Sequence, residues 1–233
     1  MNRPLSRILF VGAGAAAVIA LSAQAAFAST WSISPAGNFT GTLNAKTTTQ
    51  LKDLNTGIQV TCTKSTSKGN VPKAGSGLSG TGIATITSTT FGTTAAPCTV
   101  PGVATLTSVS LNTPWKLNAV SYNAKVDGGQ TTGTITAPGT GVGAKLSGTV
   151  LGIKCTATVG GTTAKPAVAT GLYDNGSHLL AILSVSNLKV LSSTCPSITK
   201  NDGTTFFTFP ASKAGTAVTH GYSVSSKIHL SSP

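Results

Sequence analysis

Glutamate is absent from this 233-residue chain, and its acidic side chains are only Asp53, Asp127, Asp174 and Asp202. Arginine occurs only as Arg3 and Arg7, aromatic residues make up 5%, and charged residues 9%. Each shortage excludes something. Helix bundles and coiled coils draw on Glu, Lys, Leu and Arg, so neither is expected. Glycoside hydrolysis by a carboxylate pair would have four scattered Asp to draw on, and is not expected either. Nucleic-acid binders cluster Lys with Arg and interleave aromatics for stacking, so no nucleic-acid partner is expected. Apolar residues are not short: at 39% they are enough for a buried core, which argues against wholesale disorder.

The first residues read as an address. Both arginines lie in Asn2–Arg7, an apolar run follows from Ile8 to Ala23, and Ala26-Phe27-Ala28 ends it. A basic start, a short apolar stretch and a small-x-small site define a secretory signal peptide, so residues 1–28 are assigned to it. The run is short for a membrane-spanning helix and rich in Ala and Gly. Membrane contact is therefore expected only through the uncleaved signal. Residues 29–233 then form a single secreted β domain with 14 Lys, no Arg and 4 Asp, a net charge of +10. Such a charge suits loose attraction to an anionic cell-wall polymer or glycan, and it equally suits plain solubility.

The four cysteines, Cys62, Cys98, Cys155 and Cys195, are an even set in an exported chain and read as a disulfide framework. Separations of 36 and 40 residues favour the local pairs Cys62–Cys98 and Cys155–Cys195. No Cys-x-x-Cys occurs, and His178, His220 and His229 lack zinc spacing, so no metal and no cofactor are expected. The order Trp, strand with Cys, apolar strand, Cys occurs twice, from Trp31 and again from Trp115. That order reads as a degenerate duplication of 29–112 and 113–233, or as the common look of Thr-rich strands.

Between turn signals such as Asp127-Gly128-Gly129, Gly160-Gly161 and Asp174-Asn175-Gly176, apolar residues alternate with polar ones. Examples are Val120, Tyr122, Ala124 and Val126; Ile153, Cys155, Ala157 and Val159; and Val218, His220, Tyr222 and Val224. A period of two between turns marks half-buried antiparallel strands. The expectation is an all-β fold, an antiparallel sandwich or closed barrel of ten or more short strands. The phase slip at Val150-Leu151-Gly152 predicts a bulge. Gly75–Gly82 reads as a loop or hairpin rather than a phosphate cradle, since no Lys-Ser/Thr follows it.

No catalytic constellation emerges. Each Asp lies in or beside a turn, where its carboxylate can accept backbone N–H bonds. Gly77-Leu78-Ser79-Gly80-Thr81 misses the last glycine of a nucleophile elbow, so a Ser hydrolase would rest on geometry alone. His220 reads as a core residue. A carbohydrate-binding module would need exposed aromatics in a row, and Trp31, Trp115 and Tyr173 are the candidates to contact a ligand; the two Trp also read as core plugs. Phe206-Phe207-Thr208-Phe209 places aromatics on both faces of one strand. An envelope pore would need aromatic girdles that this composition does not supply.

Trp31, Leu51-Lys52-Asp53 ahead of Thr61-Cys62, the run Pro114-Trp115-Lys116-Leu117-Asn118-Ala119-Val120-Ser121-Tyr122, and the third and fourth Cys together resemble an uncharacterised group of small secreted all-β proteins of actinobacteria. The Pro-Trp-Lys-Leu-Asn-Ala stretch is the most specific part, and the resemblance spans nearly all of the chain after residue 28. It implies location and fold class, and carries no activity or site residues. The expectation is a non-catalytic protein of the cell envelope or medium with a binding or structural role, the alternative being a carbohydrate-binding module.

Overall fold

The computed structural model describes residues 30–45, 47–53, 59–100, 104–139, 141–150, 152–195, 205–208 and 221–232. Residues 1–28, to which a signal peptide was assigned, and Asp202, Phe209 and His220 lie outside the described residues. Nineteen strands and no helix occur among those described.

Eight strands close into an antiparallel barrel. In chain order they are β2 (Gly37–Leu43), β5 (Ser65–Val71), β7 (Ala84–Phe91), β10 (Trp115–Asn123), β11 (Gln130–Thr136), β14 (Val168–Asp174), β15 (Leu179–Ser186) and β18 (Tyr222–Val224). Around the wall the order is β10-β11-β14-β15-β18-β2-β5-β7, and β7 pairs back onto β10 through Trp115↔Ile86 and Leu117↔Ala84. Of the two architectures open to the sequence, the barrel is therefore the one formed. Along β2 the buried Phe39, Gly41 and Leu43 alternate with Thr40 and Thr42 facing outward, as the period of two requires.

A second sheet grows from the barrel wall. Strand β9 (Ala104–Leu111) pairs with the end of β7 at Phe91↔Val109 and Thr90↔Ser110. On one side it carries β12 (Val142–Val150), β13 (Ile153–Gly160) and β16 (Lys189–Ser193). On the other it carries β8 (Cys98–Val100), β4 (Gln59–Cys62), β3 (Thr49–Asp53) and β17 (Thr205–Thr208). Cys62–Cys98 and Cys155–Cys195 are both bonded, one in each half of the chain, and both lie in or just beyond strands of this one sheet. A third, small sheet of β19 (His229–Ser231), β1 (Trp31–Ser34) and β6 (Gly75–Leu78) lies over one end of the barrel. Its tie to the barrel is the Asn175 side-chain amide, which donates to Leu230 O at 2.7 Å and accepts from Leu230 N at 2.9 Å.

Three local readings are corrected. The slip at Val150–Gly152 is a hairpin rather than a bulge: Val150 pairs with Ile153, and Gly152 has φ 79°, the positive value that a two-residue loop demands. The bulge lies instead in β10, between Ala119 and Ser121 against β11. It turns Val120 outward, leaving it 57% exposed, so the alternation counted from Val120 does not mark the core face. Gly75–Leu78 is an edge strand of the cap, not a loop. Nearby Gly80 permits a close approach, because a Cβ there would stand 2.7 Å from Trp31 Nε1 and 2.6 Å from Ala119 O.

Candidate functional site

The aromatics picked out by sequence are inside the molecule. Trp31 is 1% exposed, Trp115 4% and Tyr173 8%, and Tyr222 is buried as well. None of them offers a face on which a sugar ring could stack, which corrects their reading as a surface row. The two Trp do act as plugs, but in unlike places. Trp31 belongs to the cap sheet. Trp115 starts β10 at the opposite end, where its Cζ2 edge approaches Gly143 of the second sheet.

The turn Asp174–His178 collects Asp, Ser and His within five residues. Asp174 Oδ1 accepts both Ser177 N–H and Ser177 Oγ–H at 2.7 Å. The His178 ring meets Tyr173 Oη at 3.4 Å, and its backbone takes φ 52°. The carboxylate thus bonds the serine directly, with no imidazole between them. That is the wiring of a turn cap. Asp174 so takes the structural role foreseen for it. Among the described residues no group of three His, Cys, Asp or Glu could hold a metal.

Between the plugs lies the lumen. The largest of three cavities there, about 80 Å³, is lined chiefly by Phe39, Ile86, Phe91, Trp115, Ile135 and Leu180, with Ser67, Thr89, Tyr222 and Val224 also in its wall. A second, about 60 Å³, lies toward the cap against Ile33, Ile83, Tyr173, Ile228 and Leu230. A third, about 40 Å³, is bordered by Asn118, Thr131, Gly133 and Gly171. Leu180 lines all three. Eight strands enclose an interior that side chains can just fill, or that can hold one small ligand. Here the side chains stop short of filling it.

Hydroxyls at the wall are mostly satisfied. Tyr222 Oη donates to Ser65 Oγ at 2.9 Å, Thr89 Oγ1 to Ser67 Oγ at 2.8 Å, and Tyr173 Oη to Ile228 O at 2.8 Å. Burial pushes the Tyr222 phenol up to about 12. Burial raises Tyr173 further still, and the neighbouring Asp174 charge adds to the effect. Both phenols are therefore neutral hydrogen-bonding groups at ordinary pH.

Sequence reading missed this site apart from Trp115 and Tyr173. Alternation separates inward from outward residues in each strand. It carries no signal for how many strands close a ring, and hence none for whether their inner side chains fill it. Comparison with family models, with curated proteins and with solved structures found no match for this chain.

Proposed function

We propose that this chain is an exported, non-catalytic β-barrel protein of the cell envelope or medium that holds one small apolar molecule in its lumen. The observation that carries this reading is the pair of apolar cavities inside a closed eight-stranded barrel, covered at one end by the cap, with Trp115 bordering the larger cavity toward the other. Two formed disulfides fit an oxidising compartment, and the basic-then-apolar start with Ala26-Phe27-Ala28 supports export.

Toluene and a lumen-filling variant test it. Saturating toluene is expected to raise the Tm by roughly 3–8 °C. Ala169→Phe, which fills the largest cavity, is expected to abolish that rise. An unchanged Tm, or the same rise in both proteins, would overturn the reading.

The exposed lysines support a second, separate role. Lys64, Lys68, Lys73, Lys116, Lys145 and Lys154 all reach solvent, and such a surface would hold the protein loosely to an anionic wall polymer or glycan. Pull-down with purified cell wall at two salt concentrations tests this, with binding lost at high salt as the expected result.

A further inference from the structure

An asparagine followed by glycine is chemically short-lived in an open chain. The glycine nitrogen, unshielded by a side chain, attacks the asparagine side-chain carbon. Of all the Asn in this chain, only Asn175 precedes a Gly. The fold puts that pair at the joint between barrel and cap. Asn175 is 5% exposed, and both ends of its amide are engaged: Nδ2–H donates to Leu230 O at 2.7 Å, and Oδ1 accepts Leu230 N–H at 2.9 Å. Its backbone N–H donates to Gly129 O at 3.0 Å. The Gly128 backbone packs on the Gly176 nitrogen so closely that a Cβ on Gly128 would stand 2.7 Å from it. The reactive pair is therefore held from two directions, by the cap and by the β10–β11 turn.

We propose that Asn175-Gly176 is a self-modification site guarded by the cap: when β19 leaves the barrel Asn175 deamidates, and the product keeps the cap from closing again. The Gly176 nitrogen bonds to Asn175 Cγ, the Cγ–Nδ2 bond breaks, and ammonia leaves with the Gly176 proton. Water then opens the five-membered ring at either carbonyl, leaving aspartate or isoaspartate at 175. Nothing is oxidised or reduced, and water is the only co-reactant. The side chain must turn onto the Gly176 nitrogen and release Nδ2, so both Leu230 bonds must first break. An ionised carboxylate accepts hydrogen bonds and donates none. It can keep the bond from Leu230 N but has no hydrogen for Leu230 O, and it brings a charge into a buried place. Isoaspartate also lengthens the main chain of the turn. Ile33 and Leu230 of the cap border the 60 Å³ cavity, so a released cap uncovers it. This inference is independent of what the lumen holds.

The test ages the full, disulfide-intact protein in mildly alkaline buffer and follows residue 175 by peptide mass mapping with isoaspartate detection. Asn175 is expected to deamidate at least ~10-fold more slowly in the folded protein than in a short peptide of the same sequence. Leu230→Ala, which shrinks the buried anchor of β19, is expected to speed deamidation and β19 amide exchange together. Should that variant not fold, urea below the unfolding transition loosens the wild-type cap instead. Asn175→Asp is expected to raise amide exchange in β19 about 10-fold and leave β11 and β14 unchanged. Should Asn175→Asp not fold, the aged wild-type protein takes its place. Deamidation at the peptide's rate, or a rate that ignores loosening of the cap, would overturn the guard. Undiminished β19 protection with an acid at 175 would overturn the latch.

Discussion

Asn175 shows how one side chain acts as a piece of strand. Its amide offers Leu230 a donor and an acceptor at once, which joins the cap to the β14–β15 turn. Asn175→Ala would leave the Leu230 N–H and C=O unmet in a buried place. The expected loss is about 1–3 kcal/mol of stability by urea unfolding, with faster amide exchange in β19. Stability unchanged within error would mean that the clamp contributes nothing. Tyr222 adds a pH dependence. Its pKa is about 12 in the folded protein against an ordinary 10.0, because burial disfavours the phenolate. Unfolded chains would lose the proton first, so the stabilisation is complete below pH 10 and is lost as pH rises toward 12. The loss is on the order of 2–3 kcal/mol. Urea unfolding from pH 8 to 11.5 follows it, and Tyr222→Phe should lessen that slope, leaving the share of Tyr173, whose phenol is raised as well.

Among the elements, the seam between β15 and β18 borders the largest cavity. The described pairs there are Leu179↔Ser223 and Leu180↔Tyr222. The cavity is lined on both sides of that seam, by Leu180 and Ile182 from β15 and by Tyr222 and Val224 from β18. Other elements were readable in advance. Cys155, Ala157 and Val159 point into the core as their alternation indicated. The bulge in β10 was not readable, because an extra residue shifts the phase without any residue type that marks it.

For the whole molecule, the disulfides are anchored in one sheet, while the loops they close carry barrel strands β5, β7, β14 and β15. Both lie in the second sheet, closing loops of 36 and 40 residues. Replacing Cys155 and Cys195 together by Ala is expected to cost about 3–4 kcal/mol, as loop entropy returns to the unfolded chain. Chemical unfolding checks this, and a change below ~1 kcal/mol would contradict the loop model. Because the barrel contains neither bridge, the apolar-ligand response in its lumen is expected to survive in that variant.

Taken alone, the sequence determined the all-β class, the local pairing of the four cysteines and the turn-capping role of Asp174. These are short-range matters: strand period, loop length, and a carboxylate beside its own turn. Tertiary structure decided the rest. It showed that eight strands close, that both disulfides share a sheet, and that Trp115 borders a cavity inside the ring. Those facts depend on which distant strands become neighbours, such as β7 beside β10 and Tyr222 beside Ser65, 157 residues apart. A cavity is the space that the inward side chains of a closed ring leave unfilled, so no single strand records it.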